Sequence, residues 1–173
     1  MINIKIASEE DIPTIRKMAE ITFTHTYKLI LSKEQIEYMM EWMYSYNSLC
    51  KQFNDEHVFF IAFKEEDTTP CGYLSLQKEK SKENNTDLYH LHKLYVMPEV
   101  QGCGVGEMLF RKAFNFVNEN KKQKYARIEL NVNRMNKAIG FYHKMGMKII
   151  SEGDFPIGNG YYMNDYIMSS DKF

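Results

Sequence analysis

The chain has 173 residues, of which 44% are hydrophobic, 14% aromatic and 26% charged, which is enough apolar material for one packed domain and excludes a disordered chain. Its 22 basic and 23 acidic residues leave a formal net charge of -1, so no broad positive field gathers nucleic acid or anionic lipid. The opening MINIKIASEEDI lacks a leader's basic and apolar regions, the longest apolar stretch, Val58 to Phe63, is too short for a bilayer, and Cys50, Cys71 and Cys103 are odd in number and widely spaced, so a cytoplasmic location is expected.

Asn3 to Ala7 alternates apolar and polar residues as a short strand does. Ser8, followed by Glu9, Glu10 and Asp11, supplies an N-cap and an acidic first turn, so the first helix is predicted to begin near Glu9. Ile12, Ile15, Met18, Ala19 and Thr22 then share one stripe, and a second helical stretch from Lys33 carries Ile36, Met39, Met40 and Met43 at similar, core-facing spacing. His57 to Phe63 is a short β-rich run, and the polar turn from Glu65 to Pro70 joins it to a second strand, Cys71 to Gln77. The stretch KEKSKENNTD reads as a solvated turn or strand extension, since its lysines are balanced by acids, and Leu88 to Val96 is the next strand.

Beyond Pro98, the glycines of QGCGVG open an amphipathic helix with Met108, Leu109, Ala113, Phe116 and Val117 predicted to face inward. Arg127 to Val132 is a strand, Lys137 to Met145 a helix stopped by Gly146, and two strands, Met147 to Ser151 and Tyr161 to Met168, close the chain. This order predicts one α+β domain over residues 1–173, with a mixed, mainly antiparallel sheet of six to seven strands flanked by about four helices. One parallel crossover is expected between about 88 and 132. The aromatic run YYMNDYIM is a candidate for pairing across a subunit interface, so monomer and homodimer both stay open.

In Gln101-Gly102-Cys103-Gly104-Val105-Gly106, three alternating glycines let successive backbone N–H groups turn inward on the first turn of a helix, a cradle suited to a pyrophosphate. The dinucleotide fingerprint fails, because position 107 is Glu and the loop lies two thirds of the way along the chain. A Walker loop fails for want of a Gly-Lys-Ser/Thr triplet.

LHKLYVMPEVQGCGVGEMLF resembles motif A of the GCN5-related N-acetyltransferases (GNAT), and AIGFYHKMGM resembles their motif B. The two occur in the family's order and separation, between about Leu88 and Ile150. The segment ITFTHTY further resembles the polyamine-acetylating branch. The resemblance implies binding of acetyl-CoA, with Leu94, Tyr95 and Val96 along the pantetheine arm and Gln101, Gly102, Cys103, Gly104, Val105 and Gly106 at the pyrophosphate. Two positions depart from the pattern. Glu107 stands where many relatives carry a basic residue, and Met135 replaces the motif B asparagine, leaving Asn133 and Asn136 as the candidates for its contact.

A primary amine with a pKa of about 10.4 must lose a proton, at roughly 4 to 5 kcal/mol at neutral pH, before it attacks a thioester. His90 and His92 alternate with Leu91, so both imidazoles share a face of the strand, and either could be the base. His25, His57 and His143 have weaker claims. The Tyr142 phenol suits a general acid for the departing thiolate, a role the resemblance also implies, and a strand amide near Val96 would stabilise the oxyanion. Cys103 has no adjacent base and reads as a loop residue rather than a nucleophile, and no residue set completes a metal site. The acceptor is expected to be a small amine or polyamine, or a peptide or protein amine. Its specificity would lie in the first two helices and the loop from Gly153 to Gly160, where Glu37, Glu41, Asp154 and Asp165 are candidate carboxylates. The alternative reading is a non-catalytic acyl-CoA-binding regulatory or interaction module.

Overall fold

A computed structural model describes residues 1–64 and 68–173, so part of the turn expected from Glu65 to Pro70 lies outside the described residues. The first strand, β1 (Ile2–Ile6), is followed by a 3₁₀ turn at Glu9–Asp11 in which the Asp11 carboxylate accepts from the Ser8 N–H at 3.0 Å and from Lys5 Nζ at 2.9 Å. The helix proper, α1 (Ile12–Tyr27), therefore starts three residues later than the cap pattern indicates. Helix α2 (Lys33–Tyr44) is capped by Ser32, whose Oγ accepts from Gln35 N at 3.1 Å. A helix absent from the sequence reading follows, α3 (Tyr46–Asn54), capped by Ser45 Oγ on Ser48 N at 3.2 Å; Leu49 is its one fully buried side chain, which is why its stripe is faint.

The remaining elements are β2 (Val58–Lys64), β3 (Pro70–Glu79), β4 (Thr86–Val96), α4 (Val105–Asn120), β5 (Tyr125–Asn133), α5 (Ala138–Lys144), β6 (Lys148–Gly158) and β7 (Tyr161–Ser169). Together the strands form the expected mixed α+β sheet, seven strands in the order β1-β2-β3-β4-β5-β7-β6, parallel at β4–β5 and antiparallel elsewhere. Helices α1, α2 and α3 bury Ile15, Met18, Phe23, Met39, Tyr44 and Leu49 against one face, and α4 with α5 covers the other. The methionine stripe of α2 is core, as its spacing indicates, with Met39 fully buried.

Two local expectations are corrected. On α4 it is Val105, Leu109, Phe110, Ala113 and Val117 that are buried while Met108 is exposed, because the stripe is anchored four residues apart from Val105. The stretch Gly153 to Gly160 is mostly strand, with only a turn between Gly158 and Tyr161; Pro156 is tolerated because β6 is an edge strand that needs no outward N–H. Strand β7 pairs with β6 from Tyr161 to Ser169 but with β5 only from Asp165 to Ser169, so within the YYMNDYIM run Tyr161 to Asn164 have a strand partner on one edge alone. Among the described residues no helix is long and apolar enough to cross a membrane.

Candidate active site

Strand β4 organises the site. It stays paired with β3 as far as Val96, opposite Gly72, but its pairing with β5 ends at Leu91 and Leu130 while β5 continues along β7 to Asn133. Past Leu91 the two parallel strands separate, and the β5-side backbone groups of the segment holding Leu94, Tyr95 and Val96 are left without a strand partner. Gly72 makes this packing possible, since a Cβ there would stand 3.0 Å from the Tyr95 carbonyl and 3.1 Å from Leu109. The chain then turns through Gly102 (φ +80°) and Gly104 (φ +82°), and Gly104 is the N-cap of α4. Around both glycines there is open space where a Cβ would be, and the first N–H groups of α4 lack partners within the helix, so this turn fits an anion.

One cavity of about 890 Å3 joins this turn to the strand gap, and it is lined by Leu94, Tyr95, Val96, Gln101, Gly102, Gly104, Val105, Gly106 and Asn136 among the expected cofactor positions. Cys103 is exposed beside it and its N–H donates to Val100 O at 3.3 Å, while Asn133 is buried behind it, its Oδ1 accepting from Met135 N at 2.9 Å. Glu107, at the mouth, is paired with Arg111 at 2.8 Å, which offsets its charge beside the anion turn. Gln101 folds its amide onto the Val96 carbonyl at 3.1 Å.

Tyr142 projects into the same cavity from α5 and is almost fully buried. Desolvation pushes its pKa well above the ordinary phenol value, with Tyr27 adding to the effect, so the hydroxyl keeps its proton. His92 lines the cavity and His90 lies behind it, the rings 4.5 Å apart on one face as the alternation indicates, with His57 stacked on the other side of His92 at 4.6 Å. A β-bulge lies here, since Ser75 opposes Lys93 and Leu76 opposes Leu91, leaving His92 without a cross-strand partner. Gln77 Nε2 donates to Asp55 O at 2.9 Å, which orients its Oε1 toward His92 Nε2 at 3.1 Å. That contact puts the ring proton on Nε2 and leaves Nδ1 as the free base. Desolvation lowers the pKa of all three histidines, to about 4 for His57 and His90, and for His92, which is exposed by its surface area, the neighbouring His90, His57 and Lys93 add to it.

Several cavity residues escaped the sequence reading, two of them polar and central to the site. Tyr27, at the end of α1, shares its hydroxyl with Tyr95 at 3.3 Å, and Asn131 lies on the same face of β5 as Asn133; the period of two along β5 was the available signal. Of the carboxylates, Glu37 and Glu41 are exposed on α2 and Asp154 pairs with Arg134 at 2.6 Å, whereas Asp165 is buried against Asn131. His25 lines the cavity mouth, and His143 contacts the Met147 carbonyl at 3.2 Å away from it.

A sequence profile described as Acetyltransferase (GNAT) family matches residues 23–147. The chain is 30% identical over 154 residues to a spermidine N(1)-acetyltransferase of Thermoplasma acidophilum, covering 86% of this chain and 89% of that one. It is 29% identical over 115 residues to the peptidyl-lysine N-acetyltransferase YjaB of Escherichia coli, 66% of this chain and 65% of that relative's length. Among solved structures, the PaiA N-acetyltransferase of Thermoplasma acidophilum in complex with coenzyme A superposes with a TM-score of 0.77 at 26% identity over 99% of both chains.

Proposed function

The chain belongs to the GNAT acetyltransferase family, and on that premise we propose that residues 1–173 are one cytoplasmic domain that transfers the acetyl group of acetyl-CoA to a primary amine. The observation that carries the reading is the single cavity that brings the glycine turn, the β4–β5 gap, Tyr142 and His92 together. The relatives' substrates, spermidine and peptidyl-lysine, both present a primary amine, which agrees with this reaction.

Acetyl-CoA supplies the activated acetyl thioester. Amides of Gly102, Gly104, Val105 and Gly106 hold its pyrophosphate, and the unpaired edge of Leu94 to Val96 holds the pantetheine amides. At the acceptor end, His92 Nδ1 takes the amine's proton. Desolvation, with His90, His57 and Lys93 adding to it, keeps His92 neutral and weakens it as a base, so it takes the proton as the amine attacks and releases it to the solvent that reaches this exposed residue. The raised pKa of Tyr142 keeps a proton ready for the leaving sulfur.

The test is thiol release from acetyl-CoA with a panel of amines. Tyr142→Phe should lower kcat at least about tenfold with coenzyme A affinity unchanged, and His92→Ala should lower kcat/KM by about a hundredfold, more than His90→Ala. Acetyl-CoA binding without turnover on any amine would leave the regulatory module in its place.

A further inference from the structure

Behind the cavity-lining Asn131 lies a buried carboxylate that the mechanism above does not use. Asp165, on β7 opposite Asn133, is 1% exposed. Its Oδ2 accepts from Asn131 Nδ2 at 3.4 Å, and its Oδ1 has no partner among the described residues. Burial raises its pKa, which Asn131 and the charge of Arg134 only partly offset, and Arg134 is itself committed, donating to Gly153 O at 3.1 Å and to Asp154 at 2.6 Å. Two cavity-lining groups flank the carboxylate. Asn131 bonds it directly, and the Tyr27 hydroxyl, whose pKa is raised first by burial, is raised further by Asp165. A buried carboxylate left without a counter-ion is costly, and that cost is relieved when a cation docks nearby.

We propose that Asp165 selects a cationic acceptor by acting through Asn131. It ties up the amide nitrogen, so that Asn131 Oδ1 is the atom free to accept from the acceptor's ammonium, and it supplies the negative charge behind that contact. Asp165 is a positioning residue, and Asn131 is the residue that touches the acceptor. The assignment rests on the acetyl-transfer reading for what the cation is, but its binding test does not depend on turnover.

The experiment is calorimetric titration of the coenzyme A-saturated protein with 1,4-diaminobutane, a dication, and with aniline, an uncharged amine. Asp165→Asn keeps the shape and an oxygen for Asn131 while removing the charge. It should weaken diaminobutane binding at least tenfold and leave coenzyme A and aniline affinities unchanged. Asn131→Leu, with folding checked by its Tm because it also removes the hydrogen bond to buried Asp165, should weaken diaminobutane to a similar degree, and the double variant should lose little more. Undiminished diaminobutane affinity in both variants would overturn the proposal, as would parallel loss of aniline, or no diaminobutane binding by the wild type. Charge-dependent binding without acetyl transfer to any amine would sink the acetyltransferase reading and leave this assignment standing.

Discussion

Lys93 shows how one side chain at a bulge shapes the site around it. The bulge at His92 sends Lys93 into the core under α2 and α3, where its Nζ donates to Gln52 Oε1 and lies 5.5 Å and 5.6 Å from the rings of Tyr44 and Phe59. Desolvation lowers its pKa from 10.5 to about 7, and its residual charge is one reason His92 resists protonation. Because the folded pKa lies below the unfolded one, the unfolded chain binds the extra proton between these values, and stability is lost as pH falls from about 10.5 toward about 7. Denaturant titrations should therefore show the wild type gaining up to about 3 kcal/mol between pH 7 and pH 10, a slope that Lys93→Met removes. An unchanged slope in the variant would mean that Lys93 is solvated.

At the scale of elements, α4 is held by the glycines that precede it. Gly104 caps the helix with φ +82°, where a Cβ meets no steric obstacle but the backbone conformation disfavours one, so Gly104→Ala should cost about 1 kcal/mol of stability. It should also swing the turn amides off the phosphate, and the rise in Tm that coenzyme A gives the wild type should shrink severalfold, while NAD raises Tm in neither protein. A full shift retained by the variant would remove the turn from the binding site. Helix α3 illustrates why such elements differ in legibility. Its Ser45 cap and Leu49, Cys50 and Phe53 spacing are ordinary, but with one buried residue it depends on α2 and β2 more than on its own pattern.

Across the whole molecule, α2 is joined to the β6–β7 hairpin by side chains rather than by backbone pairing. Tyr38 of α2 donates to Ile157 O at 2.7 Å and packs on Tyr161 at 5.3 Å, while Gln35 Nε2 donates to Tyr162 O at 2.9 Å, so α2 is latched to the β6–β7 hairpin. Gly158, at φ +94°, leaves room for the Tyr38 hydroxyl, which a Cβ would meet at 2.5 Å. Gly158→Ala should therefore open the latch, and amide exchange in residues 153–163 should speed up at least tenfold while β2–β4 amides are unchanged. Exchange that stays slow throughout would show that the hairpin is held by its own ladder.

Much of this protein is determined by its sequence alone. The element order sufficed for the sheet class and the resemblance of two motifs for the family, while the glycine turn and the His90-Leu91-His92 alternation are local patterns whose geometry follows from short-range sterics and strand period. What only the tertiary structure decided depends on pairing between distant segments. The β4 bulge and the end of the β4–β5 ladder put His92 on the cavity and His90 behind it, and the placement of β7 between β5 and β6 buried Asp165 beside Asn131. Register across a sheet is set by the sum of many side-chain contacts far apart in the chain, so no local window could have distinguished the two histidines or singled out one carboxylate among four.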